Sequence, residues 1–171
     1  MHTSYIITFI GDDNPGLVEA LAKVISKHHG NWQESRLSQL DSKFAGIIRI
    51  SIANDRASAL EVSLKELASK GLSVRLTKTE ADTKSVQTRT IKLNILGADR
   101  PGIVREVSAE LARNHFNVSE MHSNVTSAAM TAEPLFTAEV DVQIPIDSNL
   151  EELHNRLEEI ADRMALDIKI E

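Results

Sequence analysis

The stretch GDDNPGLV at Gly11–Val18 returns as GADRPGIV at Gly97–Val104, and this repetition constrains the fold more than any other feature of the chain. An offset of 86 pairs Gly11 with Gly97, Asp13 with Asp99, Pro15 with Pro101, Gly16 with Gly102, Val18 with Val104, His29 with His115, Asn31 with Asn117 and Glu34 with Glu120. Background composition would supply about one or two such identities over that window. The chain is therefore two copies of one unit. The offset becomes 92 where FAGIIRISI (Phe44–Ile52) meets FTAEVDVQI (Phe136–Ile144), so the second copy carries six extra residues, within SNVTSAAMTAEPLF.

Each copy reads in the same order. Ser4–Ile10 and Thr90–Leu96 are short, β-branched and partly alternating, as strands are. After the G-x-D-x-P-G turn, Leu17, Val18, Leu21, Val24 and Ile25 recur at helical spacing, as do Ile103, Val104, Val107 and Leu111. Gly30 and Asn31 are expected to stop the first helix, and Asn117 to mark the second exit. A less regular strand follows at Trp32–Leu40 and Val118–Thr126. A strongly alternating one then places Phe44, Ile48, Ile50 and Ile52, or Phe136, Val140, Val142 and Ile144, on one face. Leu60, Leu64, Leu67 and Ala68 predict a second helix, matched by Leu153, Leu157, Ile160 and Ala161. Ser73–Lys78 and Ala165–Ile170 close the copies as strands. The pattern is βαββαβ twice, an α+β fold of two ferredoxin-like units, each an antiparallel sheet with both helices on one face. The expected division is 1–79 for the first unit, a polar linker at 80–88, and 89–171 for the second.

A chain of 171 residues split this way gives units of modest size, which gain stability by packing on one another or on a partner. The absence of cysteine removes disulfides, thiolate metal sites and cysteine nucleophiles, and fits a cytoplasmic protein. MHTSYIITFIGDDN has no basic flank and only a short apolar run, so it reads as a strand and not as a signal peptide. No segment approaches the apolar length of a membrane helix. A net charge of −6 disfavours direct contact with nucleic acid, whose phosphates are met by clustered lysine and arginine.

The repeated turn has two readings. In the structural one, Asp13 and Asp99 cap the helix by accepting a first-turn N–H, Pro15 and Pro101 occupy an early helical position, and the glycines allow tight packing. In the functional one, the helix N-terminus offers free N–H groups and partial positive charge to a carboxylate, and Gly16 or Gly102 lets a ligand approach the backbone. The variable position supplies Asn14, which can both donate and accept, or Arg100, which can grip a carboxylate through two N–H groups or serve as a solvated or structural cation. Asp13 and Asp99 also suit an ammonium group.

The βαββαβ order, with G-x-D-x-P-G-[LI]-V in the first loop and [HN]-[HG]-x-N after the helix, resembles the ACT domain, an amino-acid-sensing module, in two copies over nearly the whole chain. A free-standing pair of such domains is similar to the glycine cleavage system transcriptional repressor family. The resemblance implies a regulator that does not touch DNA, with glycine as the candidate signal and a LysR-type DNA-binding activator as the protein partner. It carries ligand contact over to Asp13, Asn14, Gly16 and Leu17, and to Asp99, Arg100, Gly102 and Ile103. Arg100 departs from the Asn form of the loop, which sets the two copies apart.

Other features are expected to be structural. His28, His29 and His115 lie at helix ends, where a histidine meets the helix dipole, and no histidine-carboxylate cluster has metal-ligand spacing; no cofactor is expected. Ser123–Pro134 reads as a hairpin tip, Trp32 as a packing residue, and Glu151, Glu152, Glu158 and Glu159 as the solvated face of the last helix. The alternatives to a regulator are a small ferredoxin-like enzyme, a regulatory subunit of an amino-acid metabolic enzyme, and an RNA-binding sheet. The enzyme lacks G-x-S-x-G, H-E-x-x-H and Walker-type motifs, and the RNA-binding sheet lacks exposed aromatics, aromatic content being 4%. A homo-oligomer is compatible with the pattern.

Overall fold

Strand β1 (His2–Asp12) runs into α1 (Leu17–Lys27), then β2 (Asn31–Leu40), β3 (Lys43–Ala53), α2 (Asn54–Glu66) with a 3₁₀ turn at Leu67–Lys70, and β4 (Ser73–Lys78). The second copy repeats it with β5 (Thr88–Ala98), α3 (Ile103–Arg113), β6 (Asn117–Ser127), β7 (Pro134–Pro145), α4 (Leu150–Met164) and β8 (Leu166–Ile170). This computed structural model describes residues 2–79, 87–127 and 132–171. The chain divides into two units, Met1–Thr83 and Lys84–Glu171. Most of the expected linker, 80–86, lies outside the described residues; Thr79, just before it, donates its N–H to the Ser4 carbonyl at 3.1 Å.

The sheets have the orders β2-β3-β1-β4 and β6-β7-β5-β8, and every pair is antiparallel. Side chains of a strand alternate between faces, so one face of each sheet carries the apolar set. In the first unit Ile7, Phe9, Ile48, Ile50 and Ile52 meet Leu21, Ile25, Leu60 and Leu64 from the helices. In the second, Leu93, Ile95, Val140, Val142 and Ile144 meet Val107, Leu111, Leu153, Leu157 and Ile160. Both edge strands slip register at the same place, between Trp32 and Glu34 and between Val118 and Glu120. That bulge accounts for their irregular pattern.

Several expectations need correction. Helix α1 ends at Lys27 with His28 as its C-cap, and the left-handed residue that turns the chain away is His29 (φ 58), not Gly30. The His29 N–H reaches the Ser26 carbonyl at 2.8 Å and the Gly30 N–H the Ile25 carbonyl at 2.9 Å, the paired bonds of a Schellman cap. His115 (φ 58) does the same in the second copy, with bonds from His115 to Ala112 and from Phe116 to Leu111. Ser123–Ser127 is not a hairpin tip: these residues extend β6, pairing Ser123 with Ala138 and Ser127 with Pro134, while 128–131 lie outside the described residues. The first hairpin turns after the Leu40–Lys43 pair, so the six extra residues of the second copy fall beyond Ser127 and before Pro134. Among the described residues no helix is long and apolar enough to cross a membrane.

Candidate functional site

The repeated loop departs from the expected helix start. The N-cap is Gly16 in one copy and Gly102 in the other, at φ 90 and φ 103, with no side-chain cap on either helix. Asp13 and Asp99 therefore do not cap. They stand three residues before the N-cap, out of the Ncap geometry in which a side-chain oxygen reaches the N2 or N3 amide. Pro15 and Pro101 lie in the turn, ahead of the helix instead of in its first position. What holds the loop is backbone: the Asp13 N–H donates to the Ser42 carbonyl and the Asp99 N–H to the Pro134 carbonyl, each at 2.9 Å. The loop is thus tied to the tip end of the β2–β3 or β6–β7 hairpin, a contact across 29 or 35 positions that the sequence does not reveal.

The glycines are required by conformation and not by packing. A Cβ on Gly16 or Gly102 would meet nothing within 4 Å, but a left-handed φ of that size is costly for a residue with a side chain. The backbone at the start of each helix is open from outside as a result. The first amides of a helix have no intrahelical acceptor; the Ala20 N–H is the first to reach back, to Gly16 at 2.9 Å, and Glu106 reaches Gly102 likewise. Such an end suits an anion.

The loops differ in charge. In the first, the Asn14 amide lies 3.5 Å from the Asp12 carbonyl, a weak contact, and Glu19 stands in the first turn. In the second, Arg100 leans toward the end of α4, its guanidinium 3.4 Å from the Arg163 carbonyl, and Arg163 pairs with Glu106 at 3.0 Å. A cation near a helix C-terminus is favoured by the dipole. Arg100 is exposed, and a contact of that length is easily released. Arg105 takes the place of Glu19. An open concavity brings together Asp99, Arg100, Gly102, Ile103 and Arg105 with Val125 and Phe136. Leu17 and Ile103, both among the expected ligand residues, are buried as the first apolar residues of their helices, and Ile103 borders the concavity.

Two features escaped the sequence reading. Glu110 on α3 is buried at 4% exposure, where the first copy has Val24. An apolar hollow beside α3 involves Met121 and Val118 of β6; the signal for it was the replacement of Trp32 by Val118. Trp32 is partly buried against the first core, and the four acidic residues of α4 are exposed, as expected. Among the described residues no group of three or more His, Asp or Glu is placed to hold a metal.

The comparisons with known proteins agree with this architecture. Residues 3–77 and 91–158 each match the ACT domain. The chain is 25% identical over 144 residues to the glycine cleavage system transcriptional repressor of Escherichia coli, covering 84% of this chain and 74% of that protein. It is 30% identical over 82 residues to a UPF0237 protein of Methanococcus maripaludis, covering 47% of this chain and 84% of that one. A solved structure of an unknown protein from Galdieria sulphuraria superposes with a TM-score of 0.85 at 25% identity, covering 100% of this chain and 98% of the other. With the duplicated loop, the two sheet orders and these matches in hand, the chain belongs to the ACT-domain family, as two such domains in tandem that resemble the glycine cleavage system transcriptional repressor.

Proposed function

We propose that this protein is a non-enzymatic, cytoplasmic regulator that binds a small amino acid at its repeated loops and represses glycine cleavage through a protein partner. The observation that carries the reading is the similarity to the glycine cleavage system transcriptional repressor of Escherichia coli across most of both chains. The loop chemistry supports it. An open helix N-terminus takes the carboxylate, Asn14 offers both a donor and an acceptor, and Asp13 or Asp99 faces the ammonium. Glycine is the first candidate, because a ligand without a side chain needs only these polar contacts.

The partner in this reading is a LysR-type DNA-binding activator. With a net charge of −6, the chain gains nothing from phosphate contacts of its own. Ligand changes partner binding only through differential affinity for two states of the protein. Calorimetry of the full chain against a panel of amino acids tests the first half: heat with glycine or another small amino acid supports it, and none with any member sinks it. A pull-down from cell extract with and without glycine tests the second. Recovery of a DNA-binding protein whose amount changes with glycine supports the reading, and glycine-insensitive recovery contradicts it.

A further inference from the structure

The two copies differ where the edge strand passes beneath the first helix. In the first unit, Trp32 and Leu37 of β2 pack onto the core. Leu37 lies opposite Gly46, where a Cβ would stand only 2.4 Å from the Leu37 Cδ2 atom. In the second unit Val118 and Ser123 occupy the corresponding places, and Ala138 stands opposite Ser123. Between them Ser35, opposite Ile48, gives way to the larger Met121, opposite Val140, so two large covering side chains have become small and one small one has become large.

At this place lies a hollow of about 20 Å³ between α3 and β6, walled by Ile103, Val107, Leu111, Met121 and Phe136, with Val118 beside it where the first unit has Trp32. Space on that scale admits about one water-sized group, but a water needs two to four polar partners. Ser108 is the lone polar side chain in the wall, so a methyl group suits the space better than water does. The rim is apolar too: Val104, Val118 and Met121 are 46%, 38% and 36% exposed. The hollow adjoins the concavity at the second loop, with Ile103, Val104, Ser108 and Phe136 bordering both. At the loop end, Arg100 and Arg105 stand where the first copy has Asn14 and Glu19, so the mouth of the second site is the more positive by three charge units, one from the first exchange and two from the second.

We infer that the second loop takes a carboxylate bearing a short branched aliphatic chain, its charge at the Arg100 and Arg105 end, one methyl group in the hollow and the rest of the chain along the apolar rim of Val104, Val118 and Met121. The inference rests on the amino-acid-binding reading above and extends it, because it gives the copies different ligands: a small one at the Asn14 loop and an aliphatic one at the Arg100 loop. An apolar wall with a few convergent polar groups is the usual make-up of a small-molecule site. Both an α-amino acid and the matching 2-oxo acid have the shared chemistry. Asp99 on the rim favours the first.

The test is an NMR titration of the full chain with L-valine, 3-methyl-2-oxobutanoate and glycine. The expected result is that valine or the oxo acid shifts the methyl signals of Ile103, Val107 and Met121 even when glycine is saturating. Stronger binding of valine assigns its ammonium to Asp99, and stronger binding of the oxo acid leaves the carboxylate and chain as the recognised groups; either supports the inference. Val118→Trp, which restores the first copy's residue, should weaken aliphatic binding about tenfold while glycine binding is kept. Arg100→Asn with Arg105→Glu, both on the surface, should do the same without touching the core. If neither acid shifts these signals, or if valine only competes with glycine, the inference is overturned and the amino-acid reading stands on glycine alone. If glycine, valine and the oxo acid all fail to bind, both fall.

Discussion

The carboxylate of Glu110 receives a hydrogen bond from the Arg113 guanidinium at 3.0 Å, within one turn of α3. Asn114 donates to its other oxygen at 3.1 Å, and Arg156 of α4 approaches to 3.8 Å. Glu110 is the buried charge among the described residues, while its partners face solvent. The asymmetry decides what substitution does. Glu110→Val, the first copy's residue, leaves only solvated arginines behind and should change stability by less than about 1 kcal/mol. Arg113→Ala with Arg156→Ala strips the buried carboxylate of both cations and should cost about 2 kcal/mol. Urea denaturation of the two variants would give the reverse order if Glu110 held the helices together by charge.

The left-handed glycines make a second expectation. Gly16→Ala and Gly102→Ala face open space, so the penalty is conformational, about 1–2 kcal/mol each. Asn at either position should be milder than Ala, because its side chain tolerates that region. Thermal melts of the four variants check the order, and equal melts for Ala and wild type would refute the strained backbone.

The helix starts predict a contrast between two polar residues. Asn149 caps α4, its Oδ1 accepting from Glu151 at 3.0 Å and Glu152 at 3.4 Å, so Asn149→Ala should cost about 1 kcal/mol. Asp13 caps nothing, and Asp13→Ala should stay within about 0.5 kcal/mol. A loss for Asp13→Ala as large as that for Asn149→Ala, measured in urea, would restore the capping role that the sequence suggested.

At the β2–β3 pair, a methyl on Gly46 would lie 2.4 Å from Leu37 and 2.7 Å from the Arg36 carbonyl. Gly46→Ala should cost about 1–3 kcal/mol by overpacking. Leu37→Ser should recover only part of it, since the carbonyl cannot move aside. The second unit holds Ala138 at the same place, opposite the smaller Ser123, and a neutral Gly46→Ala in a melting experiment would show that β2 yields more than its packing implies.

Asn14→Ala should weaken glycine binding about tenfold and leave the melting temperature unchanged, since the side chain makes only a 3.5 Å contact with the Asp12 carbonyl. Calorimetry with unchanged affinity would move the small-ligand site to the second loop.

The duplication, the βαββαβ order and the apolar faces were all legible in the sequence, because each rests on periodicity that a strand or helix imposes on its own residues. The Ser73–Lys78 strand coincides with β4, and Ile48, Ile50 and Ile52 are all fully buried. The candidate site was legible only in its residue types. Asp-x-Pro-Gly looks like a cap and a helix start when adjacent residues are considered alone. In the folded unit the start moves to Gly16, since the Asp13 amide is held by Ser42 and the chain must then swing through a left-handed glycine to enter α1.

Sequence by itself determined that there are two units, which faces are apolar, and that Asn14 and Arg100 distinguish them. Tertiary structure decided where Arg100 leans, that Glu110 is buried against Arg113 and Asn114, and that an apolar hollow between α3 and β6 lies beside the second loop. The reason is one of range. Local backbone preferences act between neighbours in the chain, whereas a hollow or a pinned loop is set by residues dozens of positions apart that only the closed sheet brings together.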